Sequence, residues 1–318
     1  MKVGVVCNIN ARRNAKGIVS RIRAILKEYA YVFEETERID QLEDILSKNI
    51  DKVDVWSFVG GDGTLNAAMN LLWEKTGKKK EIEIPILVGK AGTLNAVAEK
   101  IPLKGDLDDI MIRFYEKLSS IGKLPVIPRD NIRKFNTIKI SFIKPELGEK
   151  ICFSFFLGVP YLISKRVIES RISSKRSILQ TIYSSIAKFV FGQDEERIIR
   201  QIQADIEIEG KPYPYKSHYV IIGSIFREPA LFFRPFAEPE KYKEGFYFLV
   251  YSGDVWTALR NFRTYARGEK RPPHSFSDVI QEALIRAYGG INFDGELVKT
   301  DYVEIKLEPG PIVNLIKV

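Results

Sequence analysis

Cysteine and histidine are scarce in this sequence, with two of each among 318 residues. Cys7 and Cys152 both lie in apolar runs typical of buried strands, which favours free thiols in a reducing cytoplasm over a disulfide framework. Together with His218 and His274, they offer no thiolate or imidazole cluster for a metal ion. The scarcity therefore argues against a disulfide-stapled scaffold and against a zinc-finger protein.

Long hydrophobic runs are missing as well. No apolar stretch approaches the ~18 residues that a transmembrane helix needs. Residues 1–8 are too short for the core of a secretory signal and instead predict a first strand. We therefore expect a cytoplasmic protein, and we expect no nucleic-acid partner because the spacing of known RNA- and DNA-binding motifs is not found.

The chain is long, has a high apolar content and carries a net positive charge. With 45% hydrophobic and 28% charged residues, it is typical of a globular protein. A length of 318 residues favours two domains over one. The formal net charge of +8 suits an anionic partner such as a nucleotide or lipid headgroups, without identifying one.

The most informative stretch is WSFVGGDGTLN, at residues 56–66. An apolar run ends in three glycines, and apolar residues then recur at helical spacing, which predicts a buried strand, a tight turn and a helix. Glycines allow backbone N–H groups to approach an anion closely at a helix start. Asp62 adds a carboxylate for a phosphate-bound metal ion or a reacting hydroxyl, and Thr64 is a natural N-cap. The alternative is an ordinary strand-to-helix connection.

The five-residue sequence Gly-Thr-Leu-Asn-Ala occurs twice, at 63–67 and at 92–96, an offset of 29 residues (92 − 63). Each copy follows an apolar run that predicts a strand. In parallel sheets, ligands bind beyond the carboxyl ends of the strands. The repeat therefore predicts two adjacent turns that bind one polyphosphate; chance, or helix capping used for stability alone, is the alternative.

Alternating strands and helices predict the fold of the first part of the chain. Strands are expected at 2–7, 31–36, 53–59 and 84–89, and helices at 18–26, at 42–46, from 65 and from 97. This order predicts an α/β nucleotide-binding domain over residues 1–125, with a parallel sheet covered on both faces.

After residue 125 the pattern changes to apolar or alternating runs separated by glycine and proline. Strands are expected at 137–143, 152–157, 202–208, 219–225 and 246–250, with helical stretches at 164–191 and 255–265. This pattern favours a mainly antiparallel second domain over residues 126–296, a sandwich or a barrel. Two terminal strands, at 303–307 and 312–316, lie in the segment 297–318, whose return to the first domain is left open.

Residues 289–296, GGINFDGE, place Asp294 and Glu296 on either side of Gly295. Two carboxylates so close together are candidates for acid–base work or metal binding. Because Asp-Gly is a favoured two-residue hairpin turn, a simple hairpin is the alternative.

Three motifs, Gly60-Gly61-Asp62-Gly63-Thr64, Gly92-Thr93-x-Asn95 and Asp294-Gly295-Glu296, follow one another in this chain. In this order they resemble the diacylglycerol kinase catalytic family, which includes bacterial diacylglycerol and phosphatidylglycerol kinases and the sphingosine and ceramide kinases. The resemblance covers nearly the whole chain. The first motif alone is shared with NAD kinases, so the ordered set of three carries the resemblance.

The resemblance implies a Rossmann-like nucleotide domain and a β-sandwich domain, with ATP and Mg²⁺ bound between them. It implies transfer of the γ-phosphoryl group to a hydroxyl of a lipid such as diacylglycerol. Glu296 matches the general base, Asp62 would act through magnesium, and Asp294 would orient Glu296 or help to hold the metal. If Glu296 only belongs to a hairpin, Asp62 is the remaining candidate base. The residues carried over as nucleotide-binding are Gly60, Gly61, Gly63, Thr64, Asn66, Gly92, Thr93, Asn95 and Asn8.

The sequence also departs from the family pattern. Two usual acidic positions are Ala67 and Ala96, and an Asp-Asp-Gly that holds a structural magnesium in some bacterial members is Lys243-Glu244-Gly245 here. These changes leave open a catalytically degenerate protein that binds a nucleotide or lipid and regulates. A small-molecule kinase related to NAD kinases is a further alternative, although the Asn-Glu expected after the first motif is missing.

A lipid acceptor would imply contact with a membrane surface and a pocket for the lipid tail. Ser164–Arg166 and Arg171–Arg176 are candidates for contacts with anionic headgroups, against the alternative of a solvated helix face. The candidate lining of an apolar pocket is Phe153, Phe155, Phe156, Leu157, Tyr161 and Leu162, for which ordinary core packing is the alternative. Whether the chain forms a homodimer is left open.

Overall fold

The computed structural model describes residues 1–10, 20, 23–24, 30–90, 127, 129–170, 172, 174–229, 233–236 and 244–316. The chain divides into two compact units. Unit 1 consists of Met1–Asn136 and Pro311–Val318, and unit 2 of Thr137–Gly310.

Unit 1 is built on a six-stranded sheet with the strand order β2-β1-β3-β4-β19-β5. Its strands are β1 (Val3–Asn8), β2 (Ala30–Thr36), β3 (Val55–Gly60), β4 (Glu81–Lys90), β5 (Ile132–Phe135) and β19 (Ile312–Ile316). Five of them pair in parallel, and β5 lies antiparallel at one edge. The described helices are α1 (Ile39–Asn49) and α2 (Asp62–Lys75), with 3₁₀ turns at Ile50–Lys52 and Arg129–Asn131.

The central strands follow from their composition. All six residues of β3 are buried, as expected for a parallel strand covered on both faces. Gly4 of β1 lies opposite Trp56 of β3. A Cβ atom at Gly4 would lie 2.5 Å from the Trp56 ring, so glycine is required for the indole to pack over β1.

Unit 2 is a sandwich of two antiparallel sheets. The first has the order β10-β9-β15-β18-β6-β7, with β11 also on β9, and the second has the order β14-β13-β12-β8-β16-β17. The strands of the first sheet are β6 (Ile138–Lys144), β7 (Gly148–Cys152), β9 (Ile202–Ile208), β10 (Lys211–Pro212), β11 (Ser217–His218), β15 (Ala283–Ala287) and β18 (Val303–Pro309). Those of the second are β8 (Ser154–Gly158), β12 (Val220–Ser224), β13 (Phe246–Tyr251), β14 (Ser275–Ile280), β16 (Ile291–Phe293) and β17 (Glu296–Val298).

The core of unit 2 lies between these two sheets. It is formed by alternate residues of each strand, such as Ile206, Ile285 and Ile305 from the first sheet and Phe155 and Phe248 from the second. The helices of unit 2 are α3 (Val159–Glu169), α4 (Lys175–Val190), α5 (Val255–Arg260) and α6 (Phe262–Ala266). None of the helices in the described part of the chain is long and apolar enough to cross a membrane.

The predicted fold class is confirmed: a parallel α/β sheet is followed by a mainly antiparallel sandwich. Some elements differ from the prediction. The apolar run 152–157 is divided at Phe153, because Cys152 ends β7 in one sheet and Ser154 begins β8 in the other. The helical stretches expected at 164–191 and 255–265 are each two helices. The helices expected at 18–26 and from 97 fall mostly or wholly outside the described residues.

The division between the units also differs from the one expected at residue 125. Residues up to Asn136 stay with unit 1 because β5 pairs with β19 in the first sheet. Of the two terminal strands, only β19 belongs to unit 1, since β18 pairs with β6 and β15 in unit 2. The two ends of unit 2 meet where the N–H of Gly310 donates to the carbonyl of Thr137.

Candidate functional site

The carboxyl ends of the neighbouring strands β1, β3 and β4 lie side by side at one end of the sheet in unit 1. Cys7 is opposite Val59, and Gly60 is opposite Lys90. Asn8, which ends β1, is therefore a close neighbour of the glycine turn that follows β3. Open parallel sheets bind ligands at this carboxyl end of their strands.

The glycine turn leads directly into α2. The helix has Gly61 as its N-cap and begins at Asp62, and the N–H groups of Thr64 and Leu65 both donate to the Gly61 carbonyl. The sequence prediction of Thr64 as N-cap is wrong, because Thr64 is the third residue inside the helix. No side chain caps this helix start. Glycine at the N-cap keeps the first turn open, which suits an external anion at the positive end of the helix dipole.

The side chains of Asn8 and Thr64 are joined by a hydrogen bond. Nδ2 of Asn8 donates to Oγ1 of Thr64 at 2.9 Å, and Oδ1 of Asn8 accepts from the N–H of Asn10 at 2.9 Å. Both side chains are half-buried. The bond joins residues 56 positions apart in sequence, so it fixes the loop after β1 against the first turn of α2.

The glycines of the turn have different structural roles. A Cβ at Gly60 would lie 2.5 Å from the side chain of Thr64, so glycine is needed there for the threonine to pack over the strand end. Gly63 is exposed, and a Cβ atom there would meet nothing within 4 Å. The space above Gly63 is therefore open to a ligand or to solvent.

Asn66 is 1% exposed, and its Oδ1 accepts from Nδ2 of Asn70 at 3.1 Å. A side chain so buried supports the turn through α2, and its contact with a nucleotide stays a prediction. Ala67, which replaces a usual family acid, is also buried. An unpaired carboxylate at that position would be costly.

Asp62 is the half-exposed first residue of α2. Among the residues that the structure describes, no group of three or more His, Cys, Asp or Glu side chains could hold a metal ion. Mg²⁺ commonly takes one or two carboxylates and completes its shell with phosphate oxygens and water. The single carboxylate of Asp62, at the open glycine turn, is compatible with this coordination. The second turn, with Gly92, Thr93, Asn95 and Ala96, lies outside the described residues.

The hairpin at Asp294-Gly295 joins β16 to β17 in unit 2. Phe293 pairs with Glu296, and both turn residues have positive φ, 47° at Asp294 and 90° at Gly295, as a type I′ turn requires. Gly295 N–H donates to Oδ1 of Asn292 at 2.9 Å. The hairpin that Asp294-Gly295 indicated is therefore present, and the side chain of Asn292, which the sequence analysis did not consider, also supports the turn.

The Asp294 carboxylate is buried and holds this hairpin on β8. It accepts from the N–H of Phe153 at 2.7 Å and from the N–H and Oγ of Ser154 at 2.9 and 3.1 Å. The N–H of Asp294 donates in turn to the Ser154 carbonyl at 3.1 Å. These hydrogen bonds give Asp294 a positioning role: they fix the hairpin, and with it Glu296 at the start of β17.

Glu296 begins β17 and is exposed at the end of the hairpin. Desolvation by neighbouring atoms raises the pKa of its carboxyl above the usual value, and the positive charge of Lys150 partly opposes this rise. A raised pKa makes the carboxylate a better proton acceptor near neutral pH. Sequence patterns did not single out Lys150, since a lysine in an alternating strand is typical of any solvated face.

The expected apolar pocket is mostly core. Phe153, Phe155 and Leu157 are buried within unit 2, which favours the core alternative for these three. A cavity of about 440 Å³ in unit 2 is lined by Tyr161 and Leu162 from α3, but also by Lys165, Arg200 and Asp301. Its lining therefore mixes apolar side chains with charged and polar ones. Of the candidate headgroup contacts, Arg166 pairs with Glu196 at 3.2 Å.

A strand–glycine turn–helix unit at the edge of a parallel sheet defines a candidate phosphate-binding protein. Residues 2–122 match the family model described as the diacylglycerol kinase catalytic domain. This confirms the resemblance to the diacylglycerol kinase catalytic family that the motifs indicated. The match includes Asn8 and both glycine motifs, at 60–64 and 92–95, and it supports a kinase. A comparison with curated proteins found no match.

Two solved structures are similar to this chain to different degrees. A crystal structure of a diacylglycerol kinase from Bacillus anthracis str. Sterne matches with a TM-score of 0.64 at 14% identity, over 100% of this chain and 97% of that chain. An NAD kinase from Archaeoglobus fulgidus in complex with ATP matches with a TM-score of 0.48 at 14% identity, over 98% of this chain and 93% of that chain. At such identities the first likeness shows the two-part fold alone.

The bonds to Asp294 predict a specific loss of stability in Asp294→Asn. An asparagine offers one acceptor oxygen to the N–H groups of Phe153 and Ser154, and its NH₂ group would face one of these donors. We expect the free energy of unfolding to fall by about 1–3 kcal/mol, measured by urea titration. Asp301→Asn removes the charge of an exposed aspartate and should change it by less than about 0.5 kcal/mol. Equal effects of the two variants would contradict the positioning role.

Proposed function

We propose that the chain is an ATP-dependent lipid kinase that transfers the γ-phosphoryl group of ATP to a hydroxyl of a lipid such as diacylglycerol. The observation that carries the proposal is the start of α2 at Gly61-Asp62-Gly63, which has glycine and no capping side chain at its N-cap and lies inside the segment that matches the family model. This turn offers backbone donors, an open space and one carboxylate, which are the parts that phosphoryl transfer needs from a protein.

ATP would bind with its phosphates at this turn. Backbone N–H groups at the start of α2 would hold phosphate oxygens, and Thr64, oriented by Asn8, would supply a hydroxyl. We propose that Gly60 leaves room for the side chain of Thr64, and that Gly61 and Gly63 leave space for the phosphates at the turn. Gly92, Thr93 and Asn95 would complete the pocket.

Asp62 would hold Mg²⁺ together with the nucleotide phosphates. The ion would neutralise charge on the phosphates as the γ-phosphoryl group is transferred. The other contributions to phosphoryl transfer would come from the protein, which would bind the nucleotide and position the acceptor hydroxyl.

Glu296 would be the general base. Its carboxylate would take the proton of the acceptor hydroxyl while the hydroxyl oxygen bonds to the γ-phosphorus, and the bond from that phosphorus to the oxygen bridging to ADP breaks. The lipid leaves as its phosphate ester, and the proton on Glu296 is released to solvent. Asp294 would serve this step by fixing the hairpin and not by touching a substrate.

A lipid acceptor also implies that the enzyme works at a membrane surface, and we propose peripheral membrane contact as part of the function. The net charge of +8 supports this for anionic membranes. Replacement of a family acid by Ala67 supports a non-catalytic regulator instead, and the turnover measurement below decides between the two.

The phosphate turn is tested by Gly63→Asp against Gly63→Asn. A Cβ at this position meets nothing within 4 Å, and an acid in the first turn of a helix is favourable, so both variants should fold. The negative charge should weaken ATP binding on the order of tenfold or more relative to asparagine, because it lies beside the phosphates. Isothermal titration with Mg²⁺–ATP measures this. Equal affinities of the two variants would refute phosphate binding at Gly63.

The base assignment is tested by Glu296→Gln in a lipid panel. Wild type is assayed for ATP-dependent phosphorylation of diacylglycerol, phosphatidylglycerol and sphingosine in mixed micelles, and of NAD in solution. We expect one lipid to be phosphorylated, with turnover reduced about 10²–10⁴-fold in Glu296→Gln and ATP affinity unchanged. Glu195→Gln alters an exposed glutamate of the same unit and should leave turnover unchanged. Turnover of NAD alone, or of no acceptor, would overturn the lipid kinase assignment.

The acidic limb of the pH–rate profile supplies an independent check. Glu296 accepts a proton only as the carboxylate, so the rate should fall as the pH drops through its raised pKa. Lys150→Gln removes the charge that lowers this pKa, so the acidic limb of kcat/KM should move to higher pH. The change leaves titration of the nucleotide itself untouched. Lys211→Gln, an exposed lysine of the same unit, should not move the limb; a limb that stays fixed in Lys150→Gln would argue against Glu296 as the base.

A further inference from the structure

Helix α4 buries one face and leaves apolar side chains exposed on the opposite face. Ile178, Thr181 and Ser185 are buried and mark its inner face. The opposite side presents Tyr183, 58% exposed, and Val190, 45% exposed, and the chain continues into Phe191, 75% exposed. Solvent-facing aromatic and aliphatic side chains on one helix face, at a spacing of seven residues between Tyr183 and Val190, are typical of a surface that is covered by a partner.

A neighbouring helix extends this apolar surface. Trp256 at the start of α5 is 48% exposed, and its ring lies 5.6 Å from the ring of Phe189 on α4. The contact joins the carboxyl end of α4 to α5. Phe189 itself is half-buried, so we call the exposed residues Tyr183, Val190, Phe191 and Trp256 the aromatic surface.

The helices that carry the aromatic surface contain cations and no acids. Helices α4, α5 and α6 contribute Lys175, Arg176, Lys188, Arg260 and Arg263, and no aspartate or glutamate. Arg176, Lys188, Arg260 and Arg263 are exposed. Within the described part of the chain, none of these four forms an ion pair.

The nearest acids in sequence are Asp254, which caps α5 and accepts from the N–H of Thr257, and residues 194–196. Asp194 accepts from the N–H groups of Ile198 and Ile199, and Glu196 pairs with Arg166. Arg260 also interacts electrostatically with Asp254, so the cations left for an external anion are above all Arg176, Lys188 and Arg263. Apolar side chains surrounded by unpaired cations are the composition of segments that lie in the interface of anionic membranes, where the rings enter the acyl boundary and the cations meet headgroups.

From the aromatic surface and its cations we infer that α4 and α5 form the face by which the protein docks on an anionic phospholipid bilayer. This rests on the proposed function for its purpose, because a lipid kinase has to reach an acceptor within a membrane. The docking itself requires neither ATP nor turnover, which allows it to be tested separately.

Trp256 is a built-in reporter for this face. The chain has three tryptophans, of which Trp56 and Trp73 are 0% and 5% exposed in unit 1, so a bilayer can reach the indole of Trp256 and not the other two. We expect vesicles of phosphatidylcholine with phosphatidylglycerol to shift the tryptophan emission to shorter wavelength, and brominated phospholipids in them to quench it. Vesicles of phosphatidylcholine alone should bind far more weakly, and added KCl should reverse binding.

Two variants separate the apolar and the charged contribution, and sedimentation with the same vesicles measures each. Phe191→Ser should lower the partition coefficient roughly tenfold, and Arg260→Gln with Arg263→Gln about fivefold for each charge removed. The controls are Tyr288→Ser, which removes a 65% exposed aromatic elsewhere on unit 2, and Lys211→Gln; both should bind as wild type does.

Several results would overturn the inference. These are wild-type binding in Phe191→Ser and in the double arginine variant, sedimentation with vesicles without any change in tryptophan emission, or no binding to anionic vesicles. Self-association without lipid that Phe191→Ser abolishes would show that a second copy of the chain covers the surface instead. Binding through this surface without phosphorylation of any lipid in micelles would remove the proposed acceptor and leave the docking face in place, and turnover in micelles without vesicle binding would do the reverse.

Discussion

The parallel register of β1, β3 and β4 is the constraint on which the candidate phosphate site depends. Backbone pairing sets Cys7 against Val59 and Gly60 against Lys90, so strand ends that are far apart in sequence come to the same edge of the sheet. The bond from Asn8 to Thr64 forms only because both strands end at that edge. Close packing fixes the same register from within the sheet, since Gly4 leaves room for the Trp56 ring on the neighbouring strand. The site is thus a consequence of backbone hydrogen bonding and packing before any side chain binds a ligand.

In unit 2 the buried carboxylate of Asp294 fixes the position of the second candidate site residue, Glu296. Burial of an ionised Asp294 would be unfavourable without donors, and three donors from the start of β8 satisfy it. The hairpin and the functional interpretation of Asp294-Gly295-Glu296 were posed as alternatives, yet the geometry accommodates both. Asp294 and Gly295 supply the positive φ values of a tight turn, and the residue after them is left exposed with a raised pKa. One acid holds the hairpin on the sandwich, and the other lies exposed, as the proposed role in proton transfer requires.

The sequence predicted the elements whose patterns are local. Apolar runs bounded by glycine gave β3, β9, β13 and β19 to within about two residues, because burial on a known face dictates composition. It failed where tertiary pairing decides. Nothing local shows that Cys152 and Ser154 belong to different sheets, and β14, with its polar residues, is a strand only because β13 offers it a partner. The start of α2 was misplaced because Gly61 caps through its backbone carbonyl, whereas the prediction relied on a threonine side chain. The first and third motifs were correctly located as turns, the second lies outside the described residues, and the roles of all three in chemistry are not readable from the fold.

The replacement of a family acid by Ala67 has a consequence for how a metal would be held. Ala67 is buried on α2, so an acid there would have to be paired or would have its pKa raised by desolvation. Without it, Asp62 is the acid that begins the helix, and no cluster of three potential ligands exists among the described residues. A magnesium ion at this turn would then draw most of its ligands from phosphate oxygens and water. Metal and nucleotide would bind as one unit, and the protein would contribute mainly the dipole of α2 and the open turn that receives them.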